Sequence, residues 1–462
     1  MSYSPNGSNN YSNIQPKQDF ELNPTQLLVI SFLTVIFIGA ICLTLPFSAR
    51  PGVSVNFVDA LFTSTSAVCV TGLTCIDTVT SYSVPGQIII ALLIQFGGLG
   101  IMTIVTFGMA TISSRVSLKF RMFAREDRPS NTSIDLVELI KYVFKITFII
   151  ESIGAVLLFT VFKFSLGLGT LKSLYYGIFH AVSAFCNAGF ALFTDNLMSF
   201  DKNILLNLTI TSLIIIGGIG FNTIVDIIYY FKTPGRHYQL SLNSKIVLYT
   251  TLILLVLGTI LIFFIEYNND NTIGKMSFGN KLMAAYFQSV STRTAGFNTI
   301  DNGKMLLPTV LVCIILMFLG ASPGGTGGGI KTTTTAVLFK SVFRAIHDDS
   351  QIVIFKKAVP KESISKSMAV FAASIFLVLA GVFFLLFTEK ALFIEILYEV
   401  VSAFGTVGLT LGLTTKLTAA GKIIISAIMF LGRVGSLTVV LALAKQKPKQ
   451  DIKYPEEVVL IG

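Results

Sequence analysis

Charge is scarce in this chain. Only 13% of its 462 residues are charged, whereas 53% are hydrophobic and the mean hydropathy is +0.77. A soluble protein of this length would hold about three domains, and each would need a charged surface that this composition does not supply. Histidine and cysteine are scarce too. His180, His237 and His347 show no metal-ligand spacing, and the five cysteines (Cys42, Cys69, Cys75, Cys186, Cys313) are odd in number and lie in or beside apolar segments. That excludes a disulfide framework or a zinc site and leaves the thiols as small buried residues. No intramembrane acid/base or metal constellation is present, so a membrane-embedded enzyme is excluded, and no nucleotide-binding fold is found. No cleavable signal pattern is expected in residues 1–24, an Asn/Ser-rich polar tail without a basic n-region or apolar h-region. Such composition reads as disordered.

Apolar stretches are abundant. They occur near 26–45, 87–112, 140–162, 205–230, 246–265, 308–319, 367–387 and 423–444, and most approach the roughly 20 residues that cross a bilayer. The net charge of +10 does not point to nucleic acid, because the bases fall mainly in alternate loops. Arg115, Lys119, Arg121, Arg125, Arg128 and Lys141 follow the second stretch. Lys232, Arg236 and Lys245 follow the fourth, and Lys340, Arg344, Lys356, Lys357, Lys361 and Lys366 the sixth. Lys445, Lys447, Lys449 and Lys453 follow the eighth. The positive-inside rule makes these faces, and both termini, cytoplasmic. Asp77, Asp195, Asp201, Glu266, Asp270 and Asp301 lie on the opposite side, where an acidic mouth would concentrate cations weakly.

Four segments share one pattern: Leu61–Leu73, Ile178–Phe190, Ala285–Phe297 and Leu397–Leu409. Aligned on Gly72, Gly189, Gly296 and Gly408, each has an aromatic ten residues earlier (Phe62, Phe179, Tyr286, Tyr398) and a large apolar residue next (Leu73, Phe190, Phe297, Leu409). The glycines are 117, 107 and 112 residues apart, and a fixed period of this kind signals a repeat architecture. The expected fold is therefore an all-α membrane protein of four tandem span–pore-loop–span repeats, with eight transmembrane helices and four re-entrant pore helices around one pore. The expected division is a tail at 1–24, repeats at 25–113, 114–232, 233–346 and 347–446, and a cytoplasmic tail at 447–462.

The short segment of each repeat cannot cross. Twelve helical residues reach about 18 Å, against a hydrocarbon core of about 30 Å, so the chain must enter and leave on one side. Non-helical backbone at that depth is tolerated only where protein or water covers it. Glycine at the turn reaches conformations that other residues avoid, which lets successive carbonyl oxygens face an axis and replace water around a cation. The half-helices point their partially negative C-terminal ends at the same place. Thr71, Thr294 and Thr406 add hydroxyls near it. No acidic ring suits calcium, so the ligand reads as a monovalent cation. Packing glycines are the competing explanation, and four in one frame argue against it.

On these residues the chain resembles the Trk/Ktr/HKT superfamily of potassium transporters, most closely the bacterial Ktr-type membrane subunit. Val70-Thr71-Gly72, Asn187-Ala188-Gly189, Thr294-Ala295-Gly296 and Thr406-Val407-Gly408 carry the likeness. The resemblance implies that these residues are a selectivity filter binding K+ at backbone carbonyls, and Gly72 favours potassium over sodium. It implies a homodimer docked on a cytosolic ring of RCK-type nucleotide-binding regulatory subunits, in a bacterial plasma membrane. K+ is then the transported ion rather than a cofactor, and Na+ an activator or co-ion at most. A sodium-coupled or sodium-selective carrier on the same scaffold is the alternative.

The sixth stretch is interrupted by Gly320-Ala321-Ser322-Pro323-Gly324-Gly325-Thr326-Gly327-Gly328-Gly329-Ile330-Lys331. Proline removes a backbone donor and glycine disfavours helix, so this span breaks mid-membrane. A phosphate-binding loop would need lysine directly after the last glycine, where Ile330 stands. In the resembling family this loop, 320–331, obstructs the pore from the cytoplasmic side and moves to gate it. Arg433, deep in the eighth stretch, is costly there unless it faces the bundle interior or water, and it resembles the family arginine beside the gate. Lys331 is expected to snorkel toward the cytoplasm. Arg293 is expected to tie down the pore-loop backbone, and Glu151 and Glu399 to serve as internal partners. Gly97-Gly98-Leu-Gly100, Gly217-Gly218-Ile-Gly220 and Gly432/Gly435 are explained by helix packing.

Overall fold

The computed structural model describes residues 24–100, 136–232, 239–347 and 351–435, which are mostly helical. In chain order the helices are α1 (Pro24–Thr44), α2 (Phe57–Val68), α3 (Thr78–Ser81), α4 (Val84–Leu99), α5 (Leu136–Phe164), α6 (Thr170–Phe185), α7 (Ile204–Gly218) and α8 (Phe221–Lys232). They continue as α9 (Leu242–Glu266), α10 (Phe278–Ser291), α11 (Leu307–Phe318), α12 (Thr332–His347), α13 (Lys361–Thr388), α14 (Phe393–Gly405) and α15 (Ala419–Val434). A two-stranded antiparallel ribbon, β1 (Val353–Ile354) and β2 (Lys357–Ala358), separates α12 from α13. The N-terminal tail, the basic residues 115–128 and the C-terminal tail lie outside the described residues.

Among the described residues four helices, α1, α5, α9 and α13, are long and apolar enough to cross a membrane. α1 alone, 21 residues, spans about 31 Å at 1.5 Å per residue. These helices expose Phe37, Ile38, Ile41, Phe148, Phe264, Phe376 and Phe387, while the short helices bury polar groups. In α2, Thr63, Ser64, Thr65 and Ser66 are all buried. Their hydroxyls are satisfied by backbone: Thr63 donates to the Asp59 carbonyl at 2.8 Å, Thr65 to Leu61 at 2.7 Å and Ser64 across to Ile36 in α1 at 2.7 Å. An apolar outside over a hydrogen-bonded polar inside is the arrangement a lipid solvent demands.

Local signals start the helices. Asn56 accepts from the Asp59 N–H ahead of α2, Ser83 from Gly86 ahead of α4, Asn203 from Leu206 ahead of α7 and Thr418 from Gly421 ahead of α15, each filling an orphan donor of the first turn. Packing closes the set into a ring. α1 lies on α2, α5 on α6, α9 on α10 and α13 on α14. Each following helix leans on the next short one: α4 on α6, α7 on α10, α11 on α14, and α15 back on α2.

The stretch 205–230 is not one continuous span. It is α7 and α8, bent by 96°, with Gly220 at φ +90°. Gly100 (φ +83°) and Gly435 (φ +95°) cap α4 and α15 in the same way. These glycines do more than pack helices: their left-handed backbone, which only glycine adopts without strain, ends the helix. Hydropathy does not register this, because glycine leaves an apolar run apolar.

Candidate functional site

The four glycines meet. A Cβ added to Gly72 would lie 2.5 Å from the Ala188 carbonyl oxygen, one on Gly189 2.8 Å from Ala295, one on Gly296 2.5 Å from Val407, and one on Gly408 2.2 Å from Thr71. Loops one, two, three and four thus touch in cyclic order and close. Each glycine has positive φ (+91°, +70°, +76°, +94°), so both space and backbone conformation exclude a side chain. Two residues earlier, Val70, Asn187, Thr294 and Thr406 also sit at positive φ, between 51° and 66°. For β-branched residues this is strained, and it recurs at the same position in all four loops. The ring lies at the C-terminal ends of α2, α6, α10 and α14, where helix dipoles are negative. Leu73, Phe190, Phe297 and Leu409 are buried behind it.

A buried serine holds each loop, a role the sequence reading did not assign. The Gly72 N–H donates to Ser66 Oγ and the Gly408 N–H to Ser402 Oγ, both at 3.0 Å. Ser183 Oγ donates to the Phe190 carbonyl at 2.7 Å, and Ser291 Oγ to the Phe297 carbonyl. The third loop is one residue out of register with the others. The amides of Thr71, Ala188 and Val407 bond to carbonyls five residues back, at Ser66, Ser183 and Ser402, whereas Ala295 bonds only four back, to Ser291. Accordingly the buried aromatic of α10 is Phe287 and not the half-exposed Tyr286. Position ten before the glycine is therefore the wrong equivalence in this one repeat.

The glycine-rich segment docks directly beneath the ring. The Ser322 N–H donates to the Gly218 carbonyl at 3.1 Å and Thr326 N–H to Gly217 at 3.3 Å, taking acceptors that the break after α7 leaves without helical partners. Thr326 Oγ1 donates to the Phe185 carbonyl at 3.4 Å, and the Phe221 N–H to the Gly324 carbonyl at 3.0 Å. Gly220 packs on the Pro323 carbonyl. Within the segment Ala321 N–H donates to Gly328, Gly325 N–H to Ser322 and Thr332 N–H to Ala321. Gly320 lies against Gly328 and Gly329. Arg433 donates from Nη1 to the Thr326 carbonyl and from Nη2 to that of Gly97, joining the segment to α4.

Several side chains differ from expectation. Lys331 does not snorkel outward: its Nζ donates back to the Gly327 carbonyl at 2.8 Å. Arg293 does not strap the loop with its side chain. Its Nε is buried without a hydrogen-bond partner in a small cavity lined by Ile214, Gly218, Leu255 and Ala321. Glu266 is no part of an acidic mouth, since it is fully buried and accepts from the Leu306 N–H, the Asn269 amide and the Thr272 hydroxyl. Glu399 accepts from Thr410 at 2.7 Å and from Thr414, bracing the chain after Gly408. Glu151 accepts from Gln95 at 3.3 Å. Thr71 Oγ1 is buried and makes no hydrogen bond. Asp59 and Lys422 pair at 2.5 Å and fasten α2 to α15. All five cysteines are free thiols. Beside Asp59, burial pushes the Cys75 thiol up to about 12.

With this geometry established, similarity to known proteins can be placed on it. The family model described as TrkH, cation transport protein, matches residues 3–453. Ktr system potassium uptake protein B of Bacillus subtilis (strain 168) is 42% identical over 439 residues, 95% of this chain and 97% of that protein. The protein of the same name from Vibrio alginolyticus is 39% identical over 437 residues, 95% and 94% of the two chains. The potassium/sodium uptake protein NtpJ of Enterococcus hirae is 38% identical over 447 residues, 96% and 98%. The crystal structure of the potassium transporter TrkH from Vibrio parahaemolyticus matches with a TM-score of 0.72 at 18% identity, covering 93% of this chain and 86% of that one. At that identity the likeness carries the fold.

Proposed function

The chain belongs to the TrkH family of cation transport proteins, and from that premise we propose that it is the ion-conducting subunit of a potassium-uptake system in the plasma membrane. The observation that carries the reading is the closed ring of glycine turns, Gly72, Gly189, Gly296 and Gly408, each lying against the carbonyl of the next loop. Four span–pore-loop–span units surround one pore. The carbonyls of residues 70–72, 187–189, 294–296 and 406–408 replace water around a dehydrated K+, and the converging helix C-termini lower the potential there. The segment 320–331, held by Arg433, is the gate.

Transport is passive along the electrochemical gradient. A membrane potential supplies about 2.3 kcal/mol per charge per 100 mV, enough for accumulation without bond-breaking chemistry in this chain. Regulation comes from a separate cytosolic nucleotide-binding ring of the RCK type, on which a homodimer docks. Both termini face the cytoplasm. Two of the relatives above carry potassium alone in their names and one carries sodium as well, so sodium enters as a competitor or co-ion to be measured. The test is potential-driven potassium uptake into proteoliposomes holding only this protein, with Gly296→Ser as the control. Potassium-selective flux that Gly296→Ser abolishes or makes unselective is the expected outcome. Flux that requires a sodium gradient and ignores Gly296 would replace this reading with a coupled carrier.

A further inference from the structure

Four side chains project from the equivalent strained position two residues before each ring glycine, and they differ chemically. Val70 has no polar atom. With its amide donating to the Ile214 and Ala184 carbonyls at 3.1 and 3.2 Å, Asn187 accepts the Thr294 hydroxyl at 3.1 Å, so loops two and three satisfy each other. Thr406, in loop four, instead turns to the glycine-rich segment, and its Oγ1 accepts from the Gly328 N–H at 2.8 Å. All of these groups are buried. The approach is close enough to require glycine: a Cβ on Gly328 would lie 2.6 Å from Thr406 Oγ1, and one on Gly327 2.0 Å from Thr294 Oγ1.

Resting on the transport reading above, we infer that Thr406 is a positioning residue that latches the gate to the filter: its hydroxyl holds the Gly328 amide while the segment is docked. Without the hydroxyl, a buried backbone N–H loses its acceptor only in the docked state, because an undocked segment can reach water. The docked state is therefore the one that Thr406 stabilises. The serines beneath the loops anchor each turn to its own helix, whereas this bond crosses from the fourth loop to the third repeat. What sets Thr406 apart is the bond its hydroxyl accepts from Gly328, since Val70 holds the same left-handed conformation in loop one and the Thr294 hydroxyl is given to Asn187.

Thr406→Val installs the residue of loop one and keeps the β-branch while deleting the acceptor. Thr406→Ser keeps the acceptor. Hydrogen exchange of the purified full chain, read on peptides covering 324–331, and potassium leak through vesicles holding the protein without any cytosolic subunit are measured on both variants. Thr406→Val should exchange about five- to 150-fold faster across Gly328, the shift expected from leaving a buried amide without its acceptor, and leak more in the same direction. Thr406→Ser should restore protection. Equal exchange in Thr406→Val and the parent, or the same acceleration in both variants, overturns the latch. A leak that falls or turns unselective without a change in exchange also overturns it, by showing that the hydroxyl serves the ion path. If the parent passes no potassium while the exchange difference holds, the transport reading fails and the docking contact stands.

Discussion

Replacing Lys422 by methionine tests whether the ring of helices is closed by charge. Lys422 Nζ lies 2.5 Å from Asp59 Oδ1, with side chains 16% and 11% exposed, and the pair joins α15 to α2 across nearly the whole chain. Removing one partner of a buried pair strands the other charge at a loss of about 3–5 kcal/mol. Asn56 still donates to Asp59 Oδ2 at 2.8 Å and the site is not wholly dry, so about 2–3 kcal/mol is expected. At 1.4 kcal/mol per decade this is about a 30- to 150-fold rise in local opening. Cys75 supplies the reporter, its Sγ 3.5 Å from Asp59 Oδ1. Burial, reinforced by Asp59 and opposed by Lys422, pushes its thiol up to about 12. At pH 8 the closed form is therefore nearly all thiol, and alkylation runs through opened molecules whose thiol titrates near about 8.5. The sign is diagnostic. Losing Lys422 raises the closed thiol further, which by itself slows labelling, so faster labelling can only report opening. Iodoacetamide labelling of the full chain in detergent, resolved at Cys75 by mass spectrometry, should accelerate in Lys422→Met and fall back in Asp59→Asn/Lys422→Met, where no charge is stranded. A parental rate in the single variant, or a double variant as fast as the single, refutes the closure.

Two further substitutions read other parts of the ring. Phe287→Ala empties a fully buried site and should lose about 3–5 kcal/mol, whereas Tyr286→Ala, on the half-exposed face, should lose about 1 kcal/mol or less. Thermal unfolding in detergent separates the two, and equal losses would contradict the register shift of the third loop. Ser402→Ala leaves the Gly408 N–H without its acceptor, a local penalty of about 1–3 kcal/mol, and the ratio of potassium to sodium flux should fall. An unchanged ratio would show that this serine does not hold the loop in its conducting shape.

Much of the ring was legible because backbone demands are written in residue type. A left-handed turn with no room for a Cβ leaves glycine as the economical choice, and four such turns at one period stand out in a single sequence. The register of the third loop was hidden because Tyr286 and Phe287 are both aromatic. The displaced serine, at 291 where the other loops place theirs one position earlier, was the available signal. The Asp59–Lys422 pair follows from ring closure and has no local pattern. The buried Glu266 looked like a solvated loop carboxylate because acidic loop residues usually are; here Asn269 and Thr272 fold back onto it within six residues, and the Leu306 N–H reaches it from the start of α11.

The breaks in the helices that follow each loop give the glycine-rich segment its place. α4 and α15 end at glycines with positive φ, α7 bends sharply at another, and α11 stops at Phe318. Every such end leaves carbonyls with no helical donor, and in a membrane interior each must find one. Gly217 and Gly218 are satisfied by the amides of Thr326 and Ser322; the Phe185 carbonyl at the end of α6 accepts the Thr326 hydroxyl, and the Gly97 carbonyl takes Arg433 beside the Gly100 N–H. The segment is thus bound by the acceptors that broken helices supply. Displacing it leaves the Gly217, Gly218 and Phe185 carbonyls to be hydrated, so movement of the segment and entry of water beneath the ring are one event energetically. On the gating role proposed above for segment 320–331, its displacement would open a wetted cavity lined by these carbonyl oxygens, a surface suited to a cation leaving the ring.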